Sequence, residues 1–462
     1  MAAAAAPIVA DTMIAGATLV TMDGARRIIA DGAIAITGDR IVALGKRNEV
    51  LPRVAAREVI DGRRFVVTPG FVNGHIHVTE TLVKGFIPEN LSFDEGVWRW
   101  SVPLYELQSP QEQALAARLA AASMLRTGTT CFLEAGTILA LDPVFAALAE
   151  TGIRGRIGSW VLDRAFDGRS QAARTDRALR LLEEELVRYP GGGARLAARP
   201  LLIGHNTITD ALWQGAKSLA ATHGAGLGAH MSPVEGDADW HLAETGRRPV
   251  EHLAVLGVLG PELALTHMVH VDGAEVALLA ESGTSVVHCP GAALKSGFGT
   301  TGYGRFPEMA AAGVTLLLGT DGADHADLMR MATLMAGLFK DARRDRSLFP
   351  AEKVLEMATV DGARALGLGS EIGSLETGKK ADLVLHDTDR PEWRPLLNVA
   401  AQLVWSADGR GVHSVWVDGS RVVDNYRCTV IDEERLYAEA QAAALSIAER
   451  SGLPRRAPWP VV

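Results

Sequence analysis

An alternation of short apolar runs with helical segments fills the middle of this chain, and it constrains the fold more than any other feature. Seven runs are rich in β-branched and small apolar residues and read as buried strands: Thr129–Glu134, Gly155–Leu162, Leu196–Gly204, Gly226–His230, Leu263–His267, Ser285–His288 and Thr315–Thr320. The run ending near His75 makes an eighth. Segments with spaced apolar residues, such as Pro110–Leu125 and Asp210–Thr222, lie between them and predict helices. Eight strands in β–α order predict an α/β fold, a TIM (β/α)8 barrel.

The two ends of the chain have a different pattern. Short alternating or apolar runs separated by turn pairs such as Asp23-Gly24 and Asp418-Gly419 occur before residue 69 and again after residue 380. We therefore predict one small β-sandwich domain built from both termini, residues 1–68 and 376–433. The barrel would span residues 69–375, and residues 434–462 would form a C-terminal helix and tail.

Composition and charge exclude several classes of partner. The net charge of −9 argues against nucleic acid, because phosphate binding favours a basic surface. Three widely spaced cysteines, Cys131, Cys289 and Cys428, make no disulfide framework, which fits a reducing cytoplasm. No apolar run approaches the ~20 residues of a membrane span. We expect a cytoplasmic protein that acts on a small molecule, with neither nucleic acid nor membrane as a partner.

Histidine and aspartate side chains follow several of the predicted strands. His75 and His77 are two residues apart, so in an extended chain they point to the same side. Because the carboxyl ends of barrel strands meet at one face, these residues share a site with others that end strands further on. One such residue alone could be a satisfied polar group of the core, but six together predict a metal site: His75, His77, His230, His267, His288 and Asp321.

These residues lie in motifs that carry a family resemblance. The motifs are Pro69-Gly-Phe-Val-Asn-Gly-His-Ile-His77, the strand-end His230, Thr266-His267, Val287-His-Cys-Pro290, Leu318-Gly-Thr-Asp321 and the segment Gly373–Val384. With them the chain resembles the amidohydrolase superfamily, which includes cytosine and adenosine-type deaminases and chlorotriazine hydrolases. The resemblance implies that one divalent metal ion is bound by His75, His77, His230, His267 and Asp321. It also implies that His288 lies near the bound water or substrate without binding the metal, and that the protein forms a homodimer or larger homo-oligomer.

The ligand set indicates which metal and which chemistry to expect. Imidazoles and a carboxylate suit zinc first, with iron or cobalt as alternatives. Such a metal with an open position lowers the pKa of bound water to ~7. Asp321 and His288 are the predicted catalytic residues, Asp321 as proton acceptor and His288 as the group that stabilises developing charge. Some relatives hold a second metal through a lysine on the fourth strand, but residues 195–206 contain none, so we expect one metal ion.

One departure from the family pattern shapes the functional hypothesis. Deaminases and triazine hydrolases typically carry a glutamate three residues after the strand-five histidine, whereas Pro233 stands there in this chain, and whether Glu235 replaces it stays open. An acyclic carbonyl needs less acid catalysis than a ring. The leading prediction is therefore hydrolysis of a C–N or C–S bond in a phenylurea, anilide, carbamate or thiocarbamate, as in xenobiotic degradation. A weaker resemblance to phenylurea and thiocarbamate (molinate) herbicide hydrolases points the same way.

Two other functions stay open. The alternative enzyme is an aminohydrolase or dechlorinase of a heteroaromatic ring, such as a purine, pyrimidine or s-triazine. A non-enzymatic relative would have lost metal ligands, and all five are present here.

Further polar and apolar residues near the predicted strand ends are candidates for substrate contact. Glu134 ends the second strand and could form a hydrogen bond to a ligand histidine, or it could cap a helix or lie at the surface. The candidates are Glu134, His205, Asn206, Trp98, Trp100, Met231, Asp324 and His325.

Overall fold

The computed structural model of the protein describes residues 7–165, 172–322, 324–454 and 459. Its strands, in chain order, are β1 Ile8–Val20, β2 Ile28–Thr37, β3 Arg40–Lys46, β4 Val54–Asp61, β5 Phe65–Pro69, β6 Phe71–Ile76, β7 Thr129–Glu134, β8 Arg154–Ile157, β9 Leu196–Ala198, β10 Leu201–Gly204, β11 Leu227–Met231, β12 Leu263–His267, β13 Ser285–His288, β14 Leu316–Leu318, β15 Leu383–Asp387, β16 Val412–Val417, β17 Ser420–Asp424 and β18 Arg427–Cys428.

The α-helices are α1 Arg47–Val50, α2 Val102–Leu107, α3 Pro110–Arg126, α4 Leu141–Thr151, α5 Ala172–Arg188, α6 Asp210–Thr222, α7 Glu235–Thr245, α8 Pro249–Val255, α9 Gly273–Ser282, α10 Pro290–Lys295, α11 Thr300–Tyr303, α12 Phe306–Ala311, α13 Leu328–Arg343, α14 Ala351–Met357, α15 Val360–Ala365, α16 Val399–Trp405 and α17 Glu433–Arg450. Shorter 3₁₀ turns occupy Leu51–Arg53, Val78–Val83, Pro391–Trp393 and Gly409–Gly411, and Glu95–Ser101 forms a π-helical segment. Within the described ranges, no helix is both long and apolar enough to cross a membrane.

Strands from both ends of the chain lie in one sheet. Its order is β18-β17-β16-β15-β5-β1-β2-β3, and β4 pairs in parallel with β1. The contact between the two ends is made by β5 and β15, which pair antiparallel from Phe65–Asp387 to Pro69–Leu383. Hydrogen bonds connect all nine strands into a single sheet, where a sandwich would have two separate ones. Side chains of the sheet itself, among them Ile14 of β1, Ile34 of β2 and Trp416 of β16, pack together in one apolar core.

The middle of the chain forms two parallel sheets with helices between successive strands. One sheet has the order β6-β7-β8-β9 and the other β10-β11-β12-β13-β14. Isolated parallel bridges link their edges on both sides, Ile76 with Asp321 and Val161 with Leu202. All residues of β11, β12 and β13 are buried, as parallel strands covered on both faces require. The predicted α/β class is therefore confirmed.

A buried ion pair joins the central sheets to the nine-stranded sheet. Arg154 begins β8, and its Nε and Nη2 donate to Oδ2 and Oδ1 of Asp382 at 2.9 Å and 3.1 Å. Arg154 also bonds to Asp418, whose backbone N–H donates to Asp382 Oδ1 at 2.8 Å. Opposite charges raise the pKa of Arg154, although burial alone would lower it. Every carboxylate in this cluster has a donor, as a structural polar core requires.

Candidate active site and metal centre

The carboxyl ends of four parallel strands bring four imidazoles and one carboxylate together. Nε2 of His75 and of His77 lie 3.5 Å and 2.9 Å from Oδ1 of Asp321, and Nδ1 of His267 lies 3.9 Å from Oδ2. The ring of His230 is 4.7 Å, centre to centre, from that of His75. Donor atoms of His75, His77 and His230, and likewise of His75, His267 and Asp321, all lie within 4.8 Å of one another. The five predicted ligands thus surround one point.

Hydrogen bonds from outside the cluster orient two of the imidazoles. Nδ1 of His230 lies 2.8 Å from the carbonyl oxygen of Ile203 and must donate to it. Nε2 of His230 is therefore left with a lone pair, which is the form that binds a metal. Nδ1 of His75 lies 3.0 Å from Oγ1 of Thr266, which leaves Nε2 facing the cluster. Such outer partners are typical of metal-binding histidines.

Burial without partners distinguishes this cluster from an ordinary polar core. The five side chains belong to residues no more than 8% exposed, yet Nε2 of His75 and Nδ1 of His77 have no hydrogen-bond partner. Buried polar atoms are normally satisfied, so an unpaired Nε2 of His75 beside the other donor atoms of the cluster fits the binding of a cation. The residues present fit a divalent metal ion by their number, their chemistry and their orientation.

The electrostatics of the cluster agree with that interpretation. Burial lowers the pKa of His230 well below its usual value and that of His267 to about 3, so both are neutral. Burial would raise the pKa of Asp321, but the adjacent imidazoles of His75 and His77 hold it well below its usual range. The pKa of His77 rises to about 9 despite burial, because Glu80, Asp321 and then Glu134 supply negative charge. The raised pKa means that His77 carries an extra proton at neutral pH, and a bound metal ion would take the place of that proton.

The backbone at the strand ends is held in unusual conformations. His267 and Asp321 have φ of 80° and 62°, in the left-handed region that non-glycine residues rarely adopt. Each such residue costs of order 1–3 kcal/mol and persists where surrounding structure enforces it. Gly204 shows how tightly the surrounding structure holds the backbone. Its φ is +85°, and a Cβ there would lie 1.9 Å from the carbonyl oxygen of His230. Close approach between β10 and β11 therefore places the His230 ligand.

A cavity of about 1390 Å³ opens onto the metal ligands. His77, His230, His267 and Asp321 line it. Most of the rest of its wall comes from residues 80–105, 291–298 and 320–334, which lie after β6, β13 and β14. A cavity of this size at the strand ends can hold a substrate much larger than a single ring.

Two aromatic side chains contact histidines of the site, Phe298 a candidate metal ligand and Phe93 the cavity residue His205. Phe298 contacts the ring of His267 edge to face, with centroids 5.4 Å apart, and Phe93 contacts His205 in the same way at 5.5 Å. Phe93 and Phe298 also contact each other, with ring centres 5.7 Å apart. Both line the cavity. Together they make an aromatic wall beside the site, with the two rings edge to face, and an apolar aromatic substrate can pack against it.

Glu80 is a carboxylate of this cavity that the sequence analysis missed. It lies three residues after His77, in the 3₁₀ turn Val78–Val83, and accepts a hydrogen bond from the Tyr105 hydroxyl. A Cβ at Gly322 would lie 2.8 Å from its Oε2, so the carboxylate reaches the backbone directly after Asp321. The only sign of Glu80 in the sequence was its position three residues after His77. A 3₁₀ turn there is needed to place its side chain near the candidate metal ligands.

The loop after β11 resolves the question raised by Pro233. Glu235 is exposed, begins α7 and does not line the cavity, so it does not take the place of the missing glutamate. Asp237, in the first turn of α7, is a buried carboxylate. Its Oδ2 lies 2.7 Å from Nδ1 of His205 and accepts the Ser232 N–H at 2.8 Å. Asp237 therefore orients His205, which lines the cavity.

The other predicted substrate contacts divide into two groups. Trp98, Asp324 and His325 line the cavity with His205. The lining does not include Glu134, Asn206, Trp100 or Met231. Trp100 and Met231 are buried, and Trp100 packs against Phe86 with ring centres 5.9 Å apart.

Glu134 forms its hydrogen bonds within the turn that directly follows β7. Its carboxylate accepts hydrogen bonds from the N–H groups of Gly136 and Thr137 and from the Thr137 hydroxyl. Burial raises its pKa to about 7, against the lowering effect of His77.

His288 lies behind the metal cluster instead of on the cavity wall. It is fully buried, its ring stacks on Phe306 with centroids 3.9 Å apart, and neither ring nitrogen has a hydrogen-bond partner. Burial lowers its pKa to about 3, so the imidazole is neutral. It does not line the cavity, and its catalytic role stays a prediction.

Comparison with known proteins places these features in a family. The sequence model of the Amidohydrolase family matches residues 66–422. A 5-methylthioadenosine/S-adenosylhomocysteine deaminase of Pelotomaculum thermopropionicum is 32% identical over 454 residues, covering 96% of this chain and 100% of the relative. A 5'-deoxyadenosine deaminase of Methanosarcina mazei is 31% identical, covering 96% of this chain and 99% of the relative.

Solved structures have the same fold. An adenosine deaminase from Xanthomonas campestris, crystallised with bound zinc, superposes with a TM-score of 0.87 at 28% identity, covering 96% of this chain and 100% of the other. An atrazine chlorohydrolase from Arthrobacter aurescens TC1, complexed with zinc, gives a TM-score of 0.85 at 24% identity, covering 94% and 100%. This chain belongs to the amidohydrolase family and is a metal-dependent hydrolase of carbon–nitrogen bonds.

Proposed function

We propose that this protein is an aminohydrolase that removes an exocyclic amino group from a heteroaromatic ring, with a purine nucleoside as the favoured class of substrate. This is the alternative of the sequence analysis. The leading expectation, hydrolysis of a phenylurea, carbamate or thiocarbamate in xenobiotic degradation, finds no support among the relatives. Those with 30–32% identity over more than nine-tenths of this chain are named as deaminases of adenosine derivatives.

The observation that carries the proposal is the aromatic wall beside the metal ligands. Phe93 and Phe298 line the cavity next to His205 and His267, where a planar ring can stack within reach of the metal site. A heteroaromatic ring can contact these aromatic side chains over its whole face. The cavity volume of about 1390 Å³ leaves room for a sugar and a further substituent beyond the ring.

A divalent metal ion held by His75, His77, His230, His267 and Asp321 would supply Lewis acidity and lower the pKa of a water molecule toward ~7. The carboxylate of Asp321 accepts the proton of the attacking water, because its low pKa keeps it ionised. His205, oriented by Asp237, donates or accepts a hydrogen bond at the ring edge. The aromatic wall fixes the plane of the ring during attack.

Glu80 supports ring chemistry despite the missing strand-five glutamate. Attack on a ring carbon requires a proton on the neighbouring ring nitrogen, and later one on the departing amine. Glu80 lines the cavity next to the segment after Asp321, and the Tyr105 hydroxyl holds one of its oxygens. We assign it the proton transfer that Pro233 cannot perform. Pro233 argued against a deaminase because it stands where such enzymes carry a glutamate. In our assignment Glu80 supplies the carboxylate instead.

Two finer features belong to the same proposal. We infer that the two parallel sheets close into one (β/α)8 barrel, because the Ile76–Asp321 and Val161–Leu202 bridges connect their edges on both sides and because the zinc-bound adenosine deaminase fold covers 96% of the chain. We also propose one zinc ion per chain. The fourth strand, β9 and β10, provides no lysine that could bridge a second metal.

A substrate panel tests the proposed function. Zinc-loaded protein is assayed for ammonia release from 5'-methylthioadenosine, 5'-deoxyadenosine, adenosine and cytosine, for chloride release from atrazine, and for amine release from a phenylurea and a thiocarbamate. We expect the adenine nucleosides to give the highest kcat/KM. Turnover of the phenylurea or thiocarbamate with no reaction of any ring substrate would contradict the proposal.

A further inference from the structure

The Phe298 side of the aromatic wall belongs to a glycine-rich segment, residues 297–304, which we call the wall segment. Four of its eight residues are glycine: Gly297, Gly299, Gly302 and Gly304. The two glycines that flank Phe298 have φ of +65° and +75°. Glycine adopts many backbone conformations at similar energy, so the segment alone does not hold Phe298 in one place. Phe298 is nevertheless only 5% exposed, and a contact from outside the segment must fix it.

A histidine on the loop after the neighbouring strand β12 makes that contact. Nε2 of His270 lies 2.9 Å from the carbonyl oxygen of Phe298 and must donate to it, because a carbonyl oxygen only accepts. The same imidazole lies against the ring of Tyr303, with ring centres 4.9 Å apart. His270 thus contacts the wall segment at two points, one before and one after Gly299.

His270 is itself held firmly by its backbone. Its N–H donates to the carbonyl oxygen of Ser232 at 3.1 Å, and its own carbonyl oxygen accepts Nη2 of Arg248 at 2.8 Å. Shortly before it, His267 and Met268 have φ of 80° and 52°, left-handed conformations that redirect the chain at the end of β12. His270 therefore presents a fixed donor to a segment whose own backbone is permissive.

The position of Phe298 decides the shape of the cavity beside the metal ligands. Its ring contacts His267 and also Phe93, which comes from the loop after β6. Phe93 in turn contacts His205, directly after β10. A shift of the backbone at Phe298 would therefore change both halves of the aromatic wall. His270 is not among the residues that line the cavity, so it acts on a substrate through Phe298.

We propose that His270 is a positioning residue for substrate binding: its hydrogen bond to the Phe298 carbonyl holds the wall segment against His267, so the aromatic wall is formed before the substrate arrives. The inference rests on the proposed function for the identity of the ring, since any aromatic substrate that packs on Phe298 depends on the same bond. A wall formed in advance lowers the cost of binding equally for the ground state and the transition state. Its loss therefore changes KM more than kcat.

Three variants separate the hydrogen bond from the bulk of the side chain. His270→Leu keeps a side chain of similar size and removes the donor. His270→Gln retains an amide N–H that can reach the Phe298 carbonyl oxygen. His252→Leu is the matched control, because His252 of α8 bonds to Asp210 at 2.8 Å and does not line the cavity.

Hydrogen–deuterium exchange of the wall segment and steady-state kinetics with adenosine are measured on the zinc-loaded proteins. In His270→Leu, the exchange rate of residues 297–304 and the KM should each rise about threefold to tenfold, the range that the loss of one hydrogen bond implies. The kcat should stay within about twofold of the wild-type value. His270→Gln and His252→Leu should keep exchange and KM near wild type. Zinc content should be the same in all four proteins, since His270 is not among the five ligands.

The outcomes separate this inference from the proposed function. Turnover of a phenylurea in place of adenosine, with its KM and the exchange of the wall segment both raised in His270→Leu, would support the positioning role and contradict the deaminase proposal. Deamination of adenosine with the same KM in all four proteins would do the reverse. Unchanged exchange in His270→Leu would overturn the inference. Equal losses in His270→Gln and His270→Leu would also overturn it, because the donor would then make no difference.

Discussion

Two buried charged clusters of this protein use similar residue types for opposite purposes. In the cluster around Arg154, two carboxylates share the donors of one guanidinium and of a backbone N–H, so every group is paired. In the metal cluster, by contrast, ring nitrogens of His75 and His77 are buried without any partner. The first cluster lies at the start of β8 and joins two sheets, whereas the second lies at the carboxyl ends of the strands.

The difference shows how burial and hydrogen bonding together distinguish structural from functional polar groups. Satisfied buried charges stabilise a specific arrangement, and removing one partner leaves the other exposed to an apolar environment. An unpaired nitrogen that faces other donor atoms, such as Nε2 of His75, is available to a bound cation. Changes in the two clusters should therefore affect different measurements.

The largest effect is expected from His230→Ala. Removal of this ligand should eliminate metal binding and reduce ammonia release below detection, because the attacking water is no longer activated. The measurements are zinc content and kcat/KM. His223→Ala, at the end of α6 and outside the site, is the control and should leave both unchanged. Wild-type activity of a zinc-free His230→Ala protein would refute the role of the metal.

Glu80→Gln should lower kcat by about 10²–10⁴-fold, the range expected when a general acid–base group is removed. Zinc content should stay at the wild-type value, since Glu80 is not among the five ligands. Glu235→Gln is the matched control, because this glutamate is exposed and lies outside the cavity lining. If Glu235→Gln lowered kcat and Glu80→Gln did not, our assignment of the proton transfer would be wrong.

Arg154→Met should destabilise the protein by about 3–5 kcal/mol, because Asp382 and Asp418 lose the charge that compensates them. The free energy of unfolding, measured in urea, should fall, while zinc affinity of the folded protein should stay unchanged. Arg57→Met is the control: Arg57 pairs with Asp11 at an exposed site, so its loss should cost no more than about 1 kcal/mol. Loss of zinc affinity in folded Arg154→Met would show that the two clusters are not separable.

Thr266→Val should have the smallest effect. The hydroxyl of Thr266 orients His75, and its loss should weaken zinc affinity by about 10–100-fold without abolishing binding. Competition with a chelator measures this change. Thr222→Val removes an exposed hydroxyl of α6 and serves as the control. An unchanged affinity in Thr266→Val would mean that the strand backbone alone orients His75.

The sequence predicted several strands well, because a buried strand follows from local pattern, and the side chains predicted as metal ligands lie together at the strand ends. The predicted strands Leu263–His267 and Ser285–His288 have the same bounds in the structure, and so does the helix Asp210–Thr222. A buried strand is a short run of β-branched and apolar residues, and the residue that ends it reaches the site directly. The ligand positions themselves were identified through the family motifs.

The cavity wall was less predictable, because the paths of the loops decide which of their side chains line it. Glu80 and Phe298 lie on turns between regular elements, and no periodicity indicates where such turns direct a side chain. Trp98 and Trp100 are two residues apart, yet one lines the cavity and the other packs in the interior, because the chain there is π-helical rather than extended. The bent path of residues 95–101 decides which side chain faces substrate.

Metal content measured together with activity tests the central claim most directly. Wild-type protein purified from zinc-supplemented medium should contain one equivalent of zinc per chain, lose adenine-nucleoside deamination on chelation, and regain it when zinc is restored. A folded protein that contains no metal yet is fully active would contradict the account, and two equivalents per chain would contradict the single-ion site.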